Sequence, residues 1–462
     1  MSGELHDACG VYGVFQHPDA LPMTYRGLFS LQHRGQEAAG MAYWHGGDVE
    51  LQKAPGLVTE ALHPERLPAG VSTAIGHVRY STEGGSTADN VQPLLARTRF
   101  GALALAHNGT LTNQRRLKAE LEQAGAVFQS TSDSEVLAHL IAHASARDLE
   151  SAVVSAVRRL EGGFAYLILT PTALMGVRDP HGIRPLVLGE RDGAPVLASE
   201  TCALDATDAT WVREVEPGEM VIVDEGGVRS VTLWDAGLRG EPAFCSFEMV
   251  YFARPDSVFR GTSVHAARRA LGRELAREHP ATADLVVAVP DSSLPAAMGY
   301  ADVAGLPLDL GLVKNRYVGR TFIQPGQALR ESGVIAKLAA VRSVVAGRRV
   351  VLVDDSLVRG TTSRHLVQLL RSAGATAVHM RIASPPYRRA CHYGIDTSHA
   401  GELAAARLDV DSIRREVGAD SLGYLSEEGL ARALGPGGWC MACFGQPYPV
   451  PVEDEEASHV GW

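Results

Sequence analysis

Two carboxylates stand side by side where an apolar run stops. Val350–Val351–Leu352–Val353 leads into Asp354–Asp355, and Ser356–Leu357–Val358–Arg359–Gly360–Thr361–Thr362–Ser363 follows. A buried strand that delivers acids to its carboxyl end, followed by a loop of small hydroxyl residues and then a helix, suits a phosphorylated sugar. Helix-start amides and hydroxyls hold a phosphate monoester. Carboxylates accept hydrogen bonds from vicinal hydroxyls or ligate a hydrated divalent ion. The helix is expected from near Ser363 through Leu370. Taken alone, an Asp-Asp pair reads more readily as an acidic strand end opening onto a surface turn. The strand before it, Gly360 and the hydroxyls shift the reading to phosphate and sugar.

A second constellation lies near the start. Cys9–Gly10–Val11–Tyr12–Gly13–Val14–Phe15 opens a strand-like pattern. A cysteine nucleophile needs a base. An N-terminal residue carries its own, the free α-amine with a pKa of about 8, and here that requires removal of residues 1–8. Three polar segments follow in order: Gly76–His77–Val78–Arg79–Tyr80–Ser81–Thr82, Ala106–His107–Asn108–Gly109 and Ser132–Asp133–Ser134–Glu135. Arg79 can fork onto an α-carboxylate, with Thr82 beside it, and Asp133 can accept from an α-ammonium. The Asn108 side chain and the Gly109 amide can form an oxyanion hole. Each has a plainer reading: Cys9 as a core residue, Arg79 in a surface pair, Asn108–Gly109 as a hairpin turn, Asp133 as a helix cap.

The elements that must position these residues divide the chain in two. A length of 462 residues exceeds one ordinary core. In the N-terminal half, Leu103–Ala106 and Phe164–Leu169 read as buried strands, and Asp133–His143 and Leu149–Leu160 as helices. The second half alternates short apolar strands, Leu285–Val289, Val350–Val353 and Val378–Ile382, with helical segments. That pattern predicts a parallel α/β sheet, whose ligands bind beyond the carboxyl ends of its strands. The Gly/Pro-rich stretch Leu238–Pro242 is the candidate boundary, giving units 9–237 and 238–462 behind a propeptide of residues 1–8. The net charge of −10 argues against a broad nucleic-acid footprint. There is no apolar run of about 18 residues and no secretory signal at the start, so the expected compartment is the cytoplasm.

The segments Cys9–Phe15, Gly76–Thr82, Ala106–Gly109 and Ser132–Glu135, in this order, resemble the class II, N-terminal-nucleophile glutamine amidotransferases. Tyr25–Arg26–Gly27 and Leu31–Gln32–His33–Arg34–Gly35–Gln36–Glu37 add to that likeness. The resemblance implies an αββα sandwich, two sheets between helices, with Cys9 as nucleophile. The Asp354–Asp355 loop resembles the phosphoribosyltransferase signature. It implies that the two acids bind the ribose hydroxyls and that Ser356, Arg359, Gly360, Thr361 and Thr362 hold the 5′-phosphate. Pro290–Asp291–Ser292–Ser293 is similar to that family's pyrophosphate loop, with Ser292, Asp354 and Asp355 around magnesium. Lys314–Asn315–Arg316–Tyr317–Val318–Gly319–Arg320–Thr321–Phe322 is similar to the flexible loop that closes over phosphoribosyl pyrophosphate; its cations Lys314, Arg316 and Arg320 fit a pyrophosphate leaving group, and Arg330 and Lys337 could join them. The plainer readings are a strand-ending turn and a solvated basic turn.

The two halves together, with Tyr251–Phe252–Ala253–Arg254–Pro255–Asp256–Ser257 at the junction, resemble the amidophosphoribosyltransferase family. Membership implies transfer of ammonia from glutamine to C1 of phosphoribosyl pyrophosphate, the first committed step of purine biosynthesis. It also implies a homotetramer and feedback by purine nucleotides. A competing reading is a non-catalytic regulator that senses phosphoribosyl pyrophosphate.

Six cysteines remain to be placed, and a reducing compartment disfavours disulfides. Cys440–Met441–Ala442–Cys443 has a chelating spacing, and Cys245 and Cys391 are available to complete a set. Spacing alone does not choose zinc or an iron–sulfur cluster, and four buried thiols without metal remain possible. Resemblance to the propeptide-bearing subtype implies a [4Fe–4S] cluster on Cys245, Cys391, Cys440 and Cys443. Ala390 and His392 stand where that subtype commonly has proline and phenylalanine. Cys202 is read as a core residue.

Overall fold

The computed structural model describes residues 9–80, 88–234, 240–315, 338–395, 397 and 400–453. The expected propeptide of residues 1–8, Thr82, Arg316, Arg320, Arg330 and Lys337 lie outside them, as do residues 238–239 of the proposed boundary and the acidic tail from 454 on.

The N-terminal unit is built from two antiparallel sheets laid face to face. One has seven strands, in the order Thr210–Glu214, Val187–Arg191, Ala194–Ala198, Gly10–Val14, Ala74–Arg79, Ala38–His45, Asp48–Pro55. The other has six, in the order Gly227–Thr232, Glu219–Asp224, Ala173–Arg178, Gly162–Leu169, Gly101–Leu111, Leu94–Thr98. Helices cover both outer faces, so the inner strands are buried on two sides and read as unbroken apolar runs rather than as an alternation. The period of two persists in where each residue packs. Phe164, Tyr166 and Ile168 face the helices Ser134–His143 and Leu149–Val157. Ala165, Leu167 and Leu169 meet the other sheet, against Val11 and Ile75. The expected strands and helices of this half are present, the second helix ending at Val157 rather than Leu160.

The second unit holds a four-stranded parallel sheet, Leu285–Ala288, Arg349–Asp354, Ala377–Ile382 and Ser421–Tyr424. Helices Val264–Glu278 and Leu294–Ala304 pack on one face and Thr361–Ser372 and Val410–Val417 on the other. In this register Ala288 stands beside Val353, and Asp354 beside Ile382. The loops after the first two strands therefore emerge together. The helix after the acid pair begins at Thr361, two residues before the expected Ser363, because Gly360 adopts a left-handed φ of +83° and starts it early. No helix among the described residues is long and apolar enough to cross a membrane.

Candidate active sites

The inter-sheet layer assembles the first site by register. Val11, Ile75 and Ala106 point into that layer, so by alternation Cys9, Arg79 and Asn108 lie on the same side of their strands. Cross-links confirm the approach of the two sheets. His77 Nε2 donates to the His107 carbonyl at 2.8 Å. Ser199 Oγ accepts from the Val11 amide at 2.9 Å and lies 3.4 Å from Asn108 Nδ2. The Cys9 thiol donates to the Tyr80 carbonyl at 3.5 Å. Burial pushes the Cys9 thiol up, while the Tyr80 contact and the charges of Arg79 and Arg184 work the other way.

Asn108 and Gly109 do not form a turn. They sit inside the Gly101–Leu111 strand, paired with Ala165 and Phe164. Gly109 has φ +132°, and a Cβ there would meet the Gly163 carbonyl oxygen at 2.0 Å. Only glycine permits this backbone at so close an approach. Asp133 precedes the Ser134–His143 helix without capping it; its Oδ2 accepts from the Leu111 amide at 2.9 Å. Burial works to raise its pKa, but His107, 3.6 Å away, together with the Leu111 amide and Ser134 holds the carboxyl below the usual range. It is an anion ready for an ammonium.

Behind Cys9 lies a buried ionic network that the sequence did not announce. Arg34 Nε donates to the Cys9 carbonyl at 3.2 Å. Its Nη1 and Nη2 donate to Glu248 at 3.0 and 2.6 Å, and Nη1 also to Glu200. Arg184 donates to the same Glu248. Glu200 further receives His33 at 2.7 Å, the Ser257 hydroxyl at 2.7 Å and the Arg254 amide at 2.9 Å. Burial alone would raise Glu200, yet His33 and Arg34 hold it well below the usual carboxylate range. The Tyr251–Ser257 motif thus reaches back into the N-terminal unit, and Arg34 belongs to the Leu31–Glu37 segment. Their membership of those motifs was the available signal; the burial of both guanidinium and carboxylate was not legible.

The second site forms at the carboxyl end of the parallel sheet. Asp354 and Asp355 are buried side by side, with the Asp355 amide donating to Asp354 Oδ1 at 3.0 Å. Ser356 Oγ donates to Asp355 Oδ1 at 2.7 Å, and Ser292 Oγ to Oδ2 at 2.5 Å. Ser292 from the neighbouring loop therefore meets the acid pair, as expected. Burial raises both carboxyls, and at Asp354 the adjacent Asp355 raises it further. Such a pair accepts a cation or hydroxyl donors readily. Thr361 and Thr362 occupy the first turn of the helix, and Arg359 pairs with Glu402 at 2.7 Å. Lys314 pairs with Asp291 at 3.0 Å, beside the Ser292 loop. Arg268, another residue missed in the sequence, anchors the Glu248–Phe252 turn through the Met249 and Ala253 carbonyls, and its charge acts on Asp355.

Cys245, Cys391, Cys440 and Cys443 line one small cavity, together with apolar Ile183, Phe247 and Ile395. Two of them are brought together by strand pairing: Phe244–Cys245 runs parallel to Trp439–Cys440, with Cys245 opposite Cys440. Burial pushes all four thiols up, Cys245 to about 12. Among the described residues no group of three or more His, Cys, Asp or Glu is arranged to hold a single metal ion. The donor set nonetheless fits a thiolate-ligated cluster, since a bound cation replaces the protons that burial otherwise retains. The positions that depart from the subtype's pattern are packed: Tyr448 donates to the Ala390 carbonyl at 2.7 Å, and its ring meets His392 edge-on at 5.1 Å. Cys202 is buried, as expected of a core residue.

Two family models match the chain, a glutamine amidotransferase domain over residues 77–206 and a phosphoribosyl transferase domain over residues 260–398. An amidophosphoribosyltransferase from Bacillus subtilis (strain 168) is 50% identical, covering 99% of this chain and 97% of its own. One from Synechococcus elongatus is 49% identical, covering 97% and 92%. A solved structure of the allosteric regulatory enzyme of purine biosynthesis superposes with a TM-score of 0.91 at 50% identity, over 97% of each chain. That of glutamine phosphoribosylpyrophosphate amidotransferase from Bacillus subtilis, complexed with ADP and GMP, superposes with a TM-score of 0.90 at 49% identity, over 97% of this chain and 98% of its own. With half its residues identical across nearly all of both chains, this chain belongs to the amidophosphoribosyltransferase family.

Proposed function

We propose that this chain transfers the amide nitrogen of glutamine to C1 of phosphoribosyl pyrophosphate, giving 5-phosphoribosylamine, glutamate and pyrophosphate at the start of purine biosynthesis. What carries the reading is the presence in one chain of a buried cysteine beside Arg79, Asn108–Gly109 and Asp133, and of a paired-acid phosphate loop with Ser292. Arg79 and Asp133 grip the α-carboxylate and α-ammonium of glutamine, and Thr82, outside the described residues, is assigned to glutamine binding by the family resemblance alone. Cys9 Sγ attacks the amide carbon, and the α-amine freed by loss of residues 1–8 takes the thiol proton. The oxyanion rests on Asn108 and the Gly109 amide. The α-amine passes that proton to the amide nitrogen as the C–N bond breaks, ammonia leaves, a glutamyl thioester remains, and water releases glutamate.

In the second unit Asp354 and Asp355 hold the ribose hydroxyls and the Ser356–Thr362 loop, with Arg359 and Gly360, holds the 5′-phosphate. Lys314 and Arg316 stabilise the departing pyrophosphate. Ammonia forms the new bond to C1 as the bond from C1 to the pyrophosphate oxygen breaks, then loses a proton. A protonated ammonia is no nucleophile, so a closed, apolar passage between the sites serves the chemistry. Ser292, Asp354 and Asp355 would hold magnesium, which would neutralise charge on the pyrophosphate. Cys245, Cys391, Cys440 and Cys443 hold a [4Fe–4S] cluster with a structural role, because the reaction transfers no electrons. The relative complexed with ADP and GMP supports regulation by purine nucleotides, and family membership supports a homotetramer in the cytoplasm.

The decisive test measures glutamate release with and without phosphoribosyl pyrophosphate. Release that rises with the second substrate is expected. An inert protein whose mature chain begins at Met1 would favour the sensing regulator instead. Iron and sulfide analysis of anaerobically purified protein tests the cluster, and one equivalent of zinc without iron would defeat it.

A further inference from the structure

We propose that Arg184 is a positioning residue of the four-cysteine site, donating hydrogen bonds to the sulfur atoms of the group held there and supplying its counter-charge. The inference rests on the reading of that site as iron–sulfur. Arg184 is wholly buried, and its Nε and Nη1 have no hydrogen-bond partner among the described residues. Orphaned buried donors cost on the order of 1–3 kcal/mol each, more when charged, so two on one guanidinium call for an acceptor that the protein itself does not provide. The same residue lines the cavity of Cys245, Cys391, Cys440 and Cys443.

Charge points the same way. An iron–sulfur cube on four thiolates carries net negative charge, and the neighbouring side chains of Ile183, Phe247 and Ile395 carry no charge to balance it. Arg184 is held to the task from behind. Its amide donates to Asp179 at 3.0 Å, and its Nη2 donates to Glu248, which Arg34 also grips. That leaves Nε and Nη1 for the cavity. Nη1 lies beside the loop that carries Cys391: a Cβ added to Gly394 would stand 3.7 Å from it. Hydrogen bonds to the sulfurs and local charge are the levers by which a protein tunes such a group.

The test uses the full chain, purified without oxygen, as wild type, Arg184→Gln and Arg184→Lys. Iron and sulfide content, the Fe–S stretching bands in resonance Raman and the rate of bleaching in air are read alongside thermal melting. Loss of the N–H···S bonds should move the Fe–S bands of Arg184→Gln to higher frequency and speed bleaching at least about tenfold, with Arg184→Lys intermediate. Glu248 retains Arg34 in these variants, so its carboxylate stays paired; if Arg184→Gln does not fold, Arg184→Lys decides on the same bands. A cluster-loaded variant with wild-type bands and bleaching would overturn this inference alone. A wild type without iron and sulfide would overturn both it and the iron–sulfur reading.

Discussion

Glu248→Gln is the sharpest test of the buried network behind Cys9. Glu248 is 1% exposed and receives three charge-assisted hydrogen bonds, two from Arg34 and one from Arg184. Arg34 and Arg184 donate to Glu200 and Glu248, and the substitution removes the one carboxylate to which Arg184 donates. Arg34 keeps Glu200, but Arg184 loses its carboxylate, and a glutamine NH2 would face a guanidinium. Breaking a buried pair from one side costs about 3–5 kcal/mol. A cooperative unit of roughly 230 residues melts with an entropy of about 0.5 kcal/mol/K, which converts that loss to a fall of about 6–10 °C. Thermal unfolding at one scan rate measures it. The control is Glu150→Gln, which removes an exposed fork to Arg229 and should cost less than about 1 kcal/mol, or about 2 °C. If Glu248→Gln melts no lower than Glu150→Gln, the reasoning about this network is wrong.

Three further outcomes are expected. Cys9→Ala should abolish glutamine-dependent amine formation while leaving synthesis from added ammonium salts, assayed at raised pH; loss of both would indict the fold rather than the nucleophile. Asn108→Ala should lower the glutaminase kcat by about 10²–10³ with a smaller effect on KM, and a pure KM effect would remove Asn108 from the oxyanion hole. His77 is fully buried, and burial depresses its pKa to about 3, against about 6.5 when unfolded. Its stabilising contribution is therefore complete above about pH 6.5 and is lost as pH falls toward 3. Between pH 7 and 5 it should account for about 2 kcal/mol, seen as a steeper loss of stability in wild type than in His77→Gln; parallel slopes would contradict it.

What the chain could announce by itself was whatever lies close together along it. Strand, acid pair, hydroxyl loop and helix occupy Val350–Ser372 without interruption, so residue type and order sufficed to find the phosphate loop. Cys9, Arg79 and Asn108 were legible because each sits at the edge of, or within, an apolar strand, and Asp133 because its polar segment opens a helix, although Asn108–Gly109 also fits a hairpin turn and only pairing with Phe164 and Ala165 rules that out. The start of the helix moved to Thr361 because Gly360 takes a left-handed conformation, and residue identity alone leaves that choice open. Tertiary structure alone decided the long-range pairings. Arg34 and Glu248 are 214 residues apart in sequence, and each, taken singly, would be read as a solvated surface charge. Burial makes them a network, because a guanidinium removed from water must find its carboxylate wherever the fold has put one. The four cysteines follow the same rule: their number and spacing suggested a site, but only the pairing of Cys245 with Cys440 and the apolar walls around them make it a cavity.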